Sequence, residues 1–173
     1  IFEEDTMSVD TCNICEWFTG EYDSLIIYRG DYFTLFFPKI PMVYREDGGH
    51  LILIPNRHVV DIRFFTPSES LEYMKFMQIT SAIMYTVVPD MGIPIGRVNY
   101  HDNGNFEADK EIGAHQHLHI YGRSKESYKQ TWKDNLRFPS WNPDSEYYQD
   151  ATHFSSVEKI KIKEVVAMLF EKI

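Results

Sequence analysis

With 173 residues, 43% of them hydrophobic and 15% aromatic, the chain carries enough apolar material for one domain around one sizeable core. Its formal charge of −9 argues against a protein that grips a nucleic acid polymer by neutralising phosphates over a broad basic face, while leaving room for a small anion in a local basic pocket. There is no apolar run of about 18 residues and no cationic segment leading into an apolar one, so neither a membrane span nor a secretory leader is expected, and the expected location is cytoplasmic.

In chain order, residues 1–11 are expected to be a tail and 12–173 one domain. Cys12 and Cys15, the two cysteines present, form a C-x-x-C and exclude a disulfide framework. Ser24 to Tyr28 and Tyr32 to Phe37 are β-branched and aromatic runs around Arg29-Gly30-Asp31, the pattern of a hairpin. A third strand, His50 to Ile54, follows Asp47-Gly48-Gly49 and stops at Pro55. Thr66, Pro67 and Glu69 make a capping box with proline at the first helical position, which predicts a helix running to about Val88. Leu71, Met74, Met77, Ser81, Met84 and Val88 fall near one face of it, with Phe76, Ile79, Ile83 and Val87 beside them, and this wide apolar surface predicts burial against the sheet.

Ile95 to His101 reads as a fourth strand and His115 to Tyr121 as a fifth, joined by a long polar loop, Asp102 to Gly113, of a length often functional in compact domains. Lys125, Lys129, Lys133 and Arg137 fall four apart, which predicts a helix over Ser124 to Arg137. Phe138 to Asp150, with two prolines, reads as irregular. A last helix is expected from Ser155, boxed by Glu158, with Ile162, Val165, Val166, Leu169 and Phe170 inward. The alternation Ile160-Lys161-Ile162-Lys163 also fits a strand.

The chemistry concentrates in Gly113-Ala-His-Gln-His-Leu-His-Ile-Tyr-Gly122. On a strand, alternate side chains share a face, so His115, His117 and His119 form a row while Leu118 and Ile120 turn to the core. Two functional readings follow. The row is a metal site with a position open for water, or one imidazole is a nucleophile toward phosphorus, its other nitrogen donating to a backbone carbonyl so that the attacking nitrogen is unprotonated.

His115-Gln-His-Leu-His-Ile-Tyr121 resembles the His-x-His-x-His-x-x signature of the histidine triad family, with Gln116 standing where an apolar residue is common. Gly49-His-Leu-Ile-Leu-Ile-Pro-Asn-Arg-His58 resembles the family's strand ending in Ile-Pro-x-x-His, and Cys12-x-x-Cys15 matches many members. The resemblance implies an α+β fold, a five-stranded antiparallel sheet with two main helices and here a C-terminal extension. It implies a nucleotide hydrolase or transferase, often dimeric, that cleaves phosphoramidate or phosphoanhydride bonds at the α-phosphorus. It places the nucleophile at His117, a phosphate or bridging-atom contact at His119, and a phosphate-side asparagine at Asn99. In zinc-bearing members the cysteines are joined by two histidines, which the resemblance assigns to His50 and His115; His58 is expected to be a packed supporter. Lys110-Glu-Ile-Gly-Ala114 stands where members carry Gly-Gln and a hydroxyl residue, so Asn103 or Asn105 is expected to supply replacement donors. Two alternatives stay open: a hydrolase using all three triad histidines as metal ligands, and a nucleotide-binding module without turnover.

Overall fold

The computed structural model describes residues 12–102 and 112–172. The expected tail, Asn103, Asn105 and Glu111 lie outside the described residues.

Five antiparallel strands form one sheet: β1 Ile26–Arg29, β2 Phe33–Phe36, β3 His50–Pro55, β4 Ile95–Asp102 and β5 Leu118–Ser124, in the spatial order β1-β2-β3-β5-β4. Helix α1, Pro67–Thr86, crosses from β3 to β4; a single turn, α2, spans Glu146–Gln149; and α3, Ser156–Lys172, closes the chain. The expected α+β architecture is therefore the observed one, including helix rather than strand over Ile160 to Lys163.

Alternation within the strands divides the sheet into two faces. Phe33, Leu35, Leu51, Leu53, Val98, Leu118 and Ile120 meet Phe76, Ile79 and Ile83 of α1 and Ile162 and Val166 of α3 in one core. At roughly 25 cal/mol per Å² of apolar area removed from water, this layer is the main source of stability. The opposite face is covered at one side by Ile14, Trp17 and Phe18 over Phe36, Ile52 and Ile54. At the other side lies the extension after β5. The histidines of β3 and β5 occupy this second face.

Thr66 caps α1 as expected, its Oγ1 accepting from the Glu69 amide while the Glu69 carboxylate accepts from the Thr66 amide at 2.7 Å. The buried stripe of α1 is Phe76, Ile79, Thr80, Ile83 and Met84, whereas Leu71 and Met74, expected inward, are 75% and 51% exposed. The apolar surface is wider than the sheet it meets, and the Phe76 stripe wins the contact.

Two further expectations are corrected. β5 begins at Leu118, not His115, because residues 115–117 leave the ladder to make other bonds. The Gln116 amide donates to the Val59 carbonyl at 2.7 Å, and the Gln116 side chain donates to Asp102 at 2.9 Å. Ser124 to Arg137 contains no helix. Buried Asp47 draws the amides of Tyr128, Lys129 and Gln130 onto its carboxylate at 2.6–3.0 Å, and Lys133 takes a left-handed φ of 74°. Three successive amides spent on one carboxylate are unavailable to a helical ladder. The turn bearing Asp47 seats against β5 through two glycines: a Cβ on Gly48 would lie 2.3 Å from the Gly122 carbonyl carbon.

Candidate functional site

Cys12 and Cys15 lie around a short 3-10 turn, Cys15–Phe18, which brings both sulfurs toward the junction between the end of β3 and the start of β5. There the Sγ atoms meet two imidazoles. Cys12 Sγ is 3.6 Å and Cys15 Sγ 3.3 Å from His115 Nδ1, and Cys15 Sγ is 3.5 Å from His58 Nδ1. All four donor atoms fall within 4.8 Å of one another.

A tetrahedral zinc ion, with bonds of about 2.3 Å to sulfur and 2.05 Å to nitrogen, would hold S and N about 3.6 Å apart. The observed separations fit. The ring tautomers fit as well. His115 Nε2 is 3.1 Å from the Pro55 carbonyl and His58 Nε2 is 3.1 Å from the Ile112 carbonyl; a carbonyl only accepts, so each Nε2 carries the proton and each Nδ1 offers a lone pair inward. Burial also favours the neutral form of His115, lowering its pKa to about 4.

His50, expected as the fourth ligand, is not in this group. It begins β3, the opposite end from Pro55 and about 16 Å away along the strand, and pairs in register with Tyr121 rather than with the start of the triad. His58 takes that position, because three residues past Pro55 the chain turns back beside His115. The signal was available in the sequence: antiparallel pairing puts the end of β3 beside the beginning of the triad.

His50 instead serves the other end of the row. The Met42 amide donates to His50 Nδ1 at 3.1 Å, so His50 carries its proton on Nε2 and donates it to His119 Nδ1 at 2.9 Å. His119 is left as an Nε2–H donor. Desolvation first, then the fields of His117 and His101, lower its pKa to about 3; His50 is lowered well below its usual value, again by burial first. This pair is neutral near neutral pH.

His117 Nδ1 is 2.8 Å from its neighbour's carbonyl, His115 O. Nδ1–H is therefore the donor, and in the neutral ring the lone pair lies on Nε2. The ring is half-buried and stands edge-on to His119, centroids 4.8 Å apart. The three triad imidazoles do not converge: His115 faces the cysteines, and His117 pairs with His119. Among the described residues, the one group of metal-type donors is Cys12, Cys15, His58 and His115.

On β4, Arg97, Asn99 and His101 face the same side as the triad. Asn99 and His101 line an open cavity of about 620 Å³ with Arg123 and Trp132. His101 is opposite His119 in the β4–β5 register and was not expected to bear on the site.

A five-stranded sheet in this order, with histidines on the face turned away from α1 and α3, is the fold of the histidine triad proteins. A zinc-bound histidine triad family protein from Mycobacterium smegmatis superposes with a TM-score of 0.59 at 17% identity, covering 94% of this chain and 98% of that one. A histidine triad protein from Bradyrhizobium japonicum gives 0.56 at 14% identity over 86% and 93%. A hypothetical histidine triad nucleotide-binding protein from Sulfolobus tokodaii gives 0.53 at 15% identity over 93% of each chain. No protein-family model and no curated protein matches the chain. No helix among the described residues is long and apolar enough to cross a membrane.

Proposed function

We propose that the chain is a histidine triad enzyme that binds a nucleotide substrate and cleaves a phosphoramidate or phosphoanhydride bond at the α-phosphorus through a nucleotidyl-His117 intermediate. The observation carrying this reading is the bond from His117 Nδ1–H to the His115 carbonyl at 2.8 Å. It favours, for the neutral ring, the tautomer that leaves the lone pair on Nε2, the nucleophilic nitrogen.

In the first step His117 Nε2 forms a bond to phosphorus as the bond to the leaving atom breaks; that atom departs with the electron pair, held by a hydrogen bond from the Nε2–H of neutral His119, and takes its proton from solvent. In the second, water attacks the same phosphorus, the N–P bond breaks with its electron pair returning to His117 Nε2, and the water proton passes to solvent. His50 is a positioning residue, since its Nε2–H occupies His119 Nδ1 and keeps the His119 proton on the other nitrogen. Asn99, within the cavity beside His101, and Asn103 are assigned to the phosphate side.

Cys12, Cys15, His58 and His115 are assigned to a structural zinc ion, whose four bonds would tie the N-terminal segment to the triad loop. The M. smegmatis neighbour, described as zinc-bound, supports this assignment.

The test is a rapid quench of zinc-loaded protein during turnover of adenosine 5′-phosphoramidate, followed by peptide mass mapping. A nucleotidyl adduct on the peptide containing residues 115–121 is expected. Undiminished hydrolysis by His117→Ala would sink the reading, and nucleotide binding with no turnover would reduce the protein to a binding module.

A further inference from the structure

The extension after β5 builds a second chemical environment beside the triad. Asp47 pins the amides of residues 128–130. The buried Arg123 guanidinium donates to the Thr131 and Asp134 carbonyls at 3.0 Å each. Trp132 lies over Gly96 so closely that a Cβ there would be 2.3 Å from the indole. Lys133, between these anchors, holds its left-handed φ of 74°, a conformation rare for a residue with a side chain and kept only where its surroundings impose it. Together they wall one side of the 620 Å³ cavity whose other side is Arg97, Asn99 and His101 of β4.

The cavity's charge runs against that of the chain. Arg97, Arg123 and Lys133 line it, with Asp134 alone of opposite sign, in a protein of net charge −9. Arg97 and Lys133 are exposed, and neither has an ion-pair or side-chain hydrogen-bond partner among the described residues. Unpaired cations at the wall of a shaped cavity create a local positive field that selects multiply charged anions. His101, on the cavity wall, stands opposite His119 in the strand register, so the cavity and the triad share one continuous strip of the sheet.

We propose that this cavity is a second anion subsite that takes a polyphosphate chain through Arg97, Lys133 and Arg123. Resting on the function proposed above, that chain is the part of the substrate that departs when His117 attacks, which makes a nucleoside polyphosphate, with an anionic leaving group, the preferred substrate class.

Calorimetric titration of the zinc-loaded chain with inorganic tripolyphosphate tests the subsite without requiring turnover, with zinc content measured before and after. The unaltered protein and His117→Ala are expected to bind alike. Arg97→Gln with Lys133→Gly removes two exposed cations, the glycine suiting the left-handed backbone, and is expected to weaken binding about tenfold or more. Lys39→Gln with Lys172→Gln, matched in charge and away from the cavity, is expected to leave binding as it was. Near-UV circular dichroism verifies that each variant is folded, and Arg97→Lys with Lys133→Arg, which keeps both charges, is expected to retain most of the affinity. The proposal is overturned if tripolyphosphate does not bind, if the cavity pair binds it undiminished, if the remote pair loses as much, or if His117→Ala abolishes it. A protein that binds tripolyphosphate at the cavity yet turns over no nucleotide defeats the functional reading and spares this one.

Discussion

The two ends of the histidine row use the same side chain in opposite senses. At the cysteine end, carbonyls of Pro55 and Ile112 take the Nε2 protons of His115 and His58, and Nδ1 faces the sulfurs. At the other end the His115 carbonyl takes the Nδ1 proton of His117, and His50 fills Nδ1 of His119. Which ring nitrogen is already hydrogen-bonded thus decides which one each imidazole presents, Nδ1 at His115 and His58 and Nε2 at His117 and His119. Residue type alone does not.

The difference can be broken one histidine at a time. His117→Ala is expected to lower kcat by about a thousandfold or more, since no other group takes over the nucleophile, while zinc content, read by atomic absorption, stays as in the parent. His58→Ala should do the reverse, releasing zinc and lowering the melting temperature by roughly 10 °C or more as a metal-linked contribution is lost. Zinc retained by His58→Ala but lost from His50→Ala would reinstate the assignment made from the sequence. His50→Phe removes the bond to His119 Nδ1 and should reduce kcat roughly 10- to 100-fold with zinc unchanged; an unaltered kcat would leave His50 a packing residue.

The smallest expected effect sharpens the contrast from outside the site. Arg57 holds the Glu69 carboxylate, and Arg45 that of Glu158, so both pKa values fall from 4.5 to about 2. A depressed carboxylate pKa stabilises the fold above the unfolded value. That contribution should be lost as pH drops from about 4.5 through 2, on top of a separate fall beginning near pH 6.5, where unfolding lets the buried neutral imidazoles of His50 and His119 take up protons. Urea midpoints across that range measure it, and Glu69→Gln should flatten part of the acid slope.

Much of this was legible in the sequence because it is local. The capping box at Thr66, the short β-branched runs and the alternate-position histidines each announce themselves within a few residues. What escaped depends on partners far along the chain. Asp47 cancels the helix expected over Ser124 to Arg137 from about eighty residues away, and α1 exposes Leu71 and Met74 because the sheet is narrower than the helix's apolar surface. His58 was expected to be a packed supporter because the resemblance assigned the fourth donor to His50; the antiparallel register, which sets the end of β3 beside the triad, points to His58 instead. His101 became relevant only when β4 was seen to lie opposite His119.

The central claim is that the backbone leaves Nε2 of His117 free to attack. The most direct measurement is the linkage in the trapped intermediate, read by phosphorus–nitrogen coupling in NMR of histidine-labelled protein quenched during turnover. A phosphorus bonded to Nε2 of His117 is the predicted result; a bond to Nδ1, or to His115 or His119, would contradict the account.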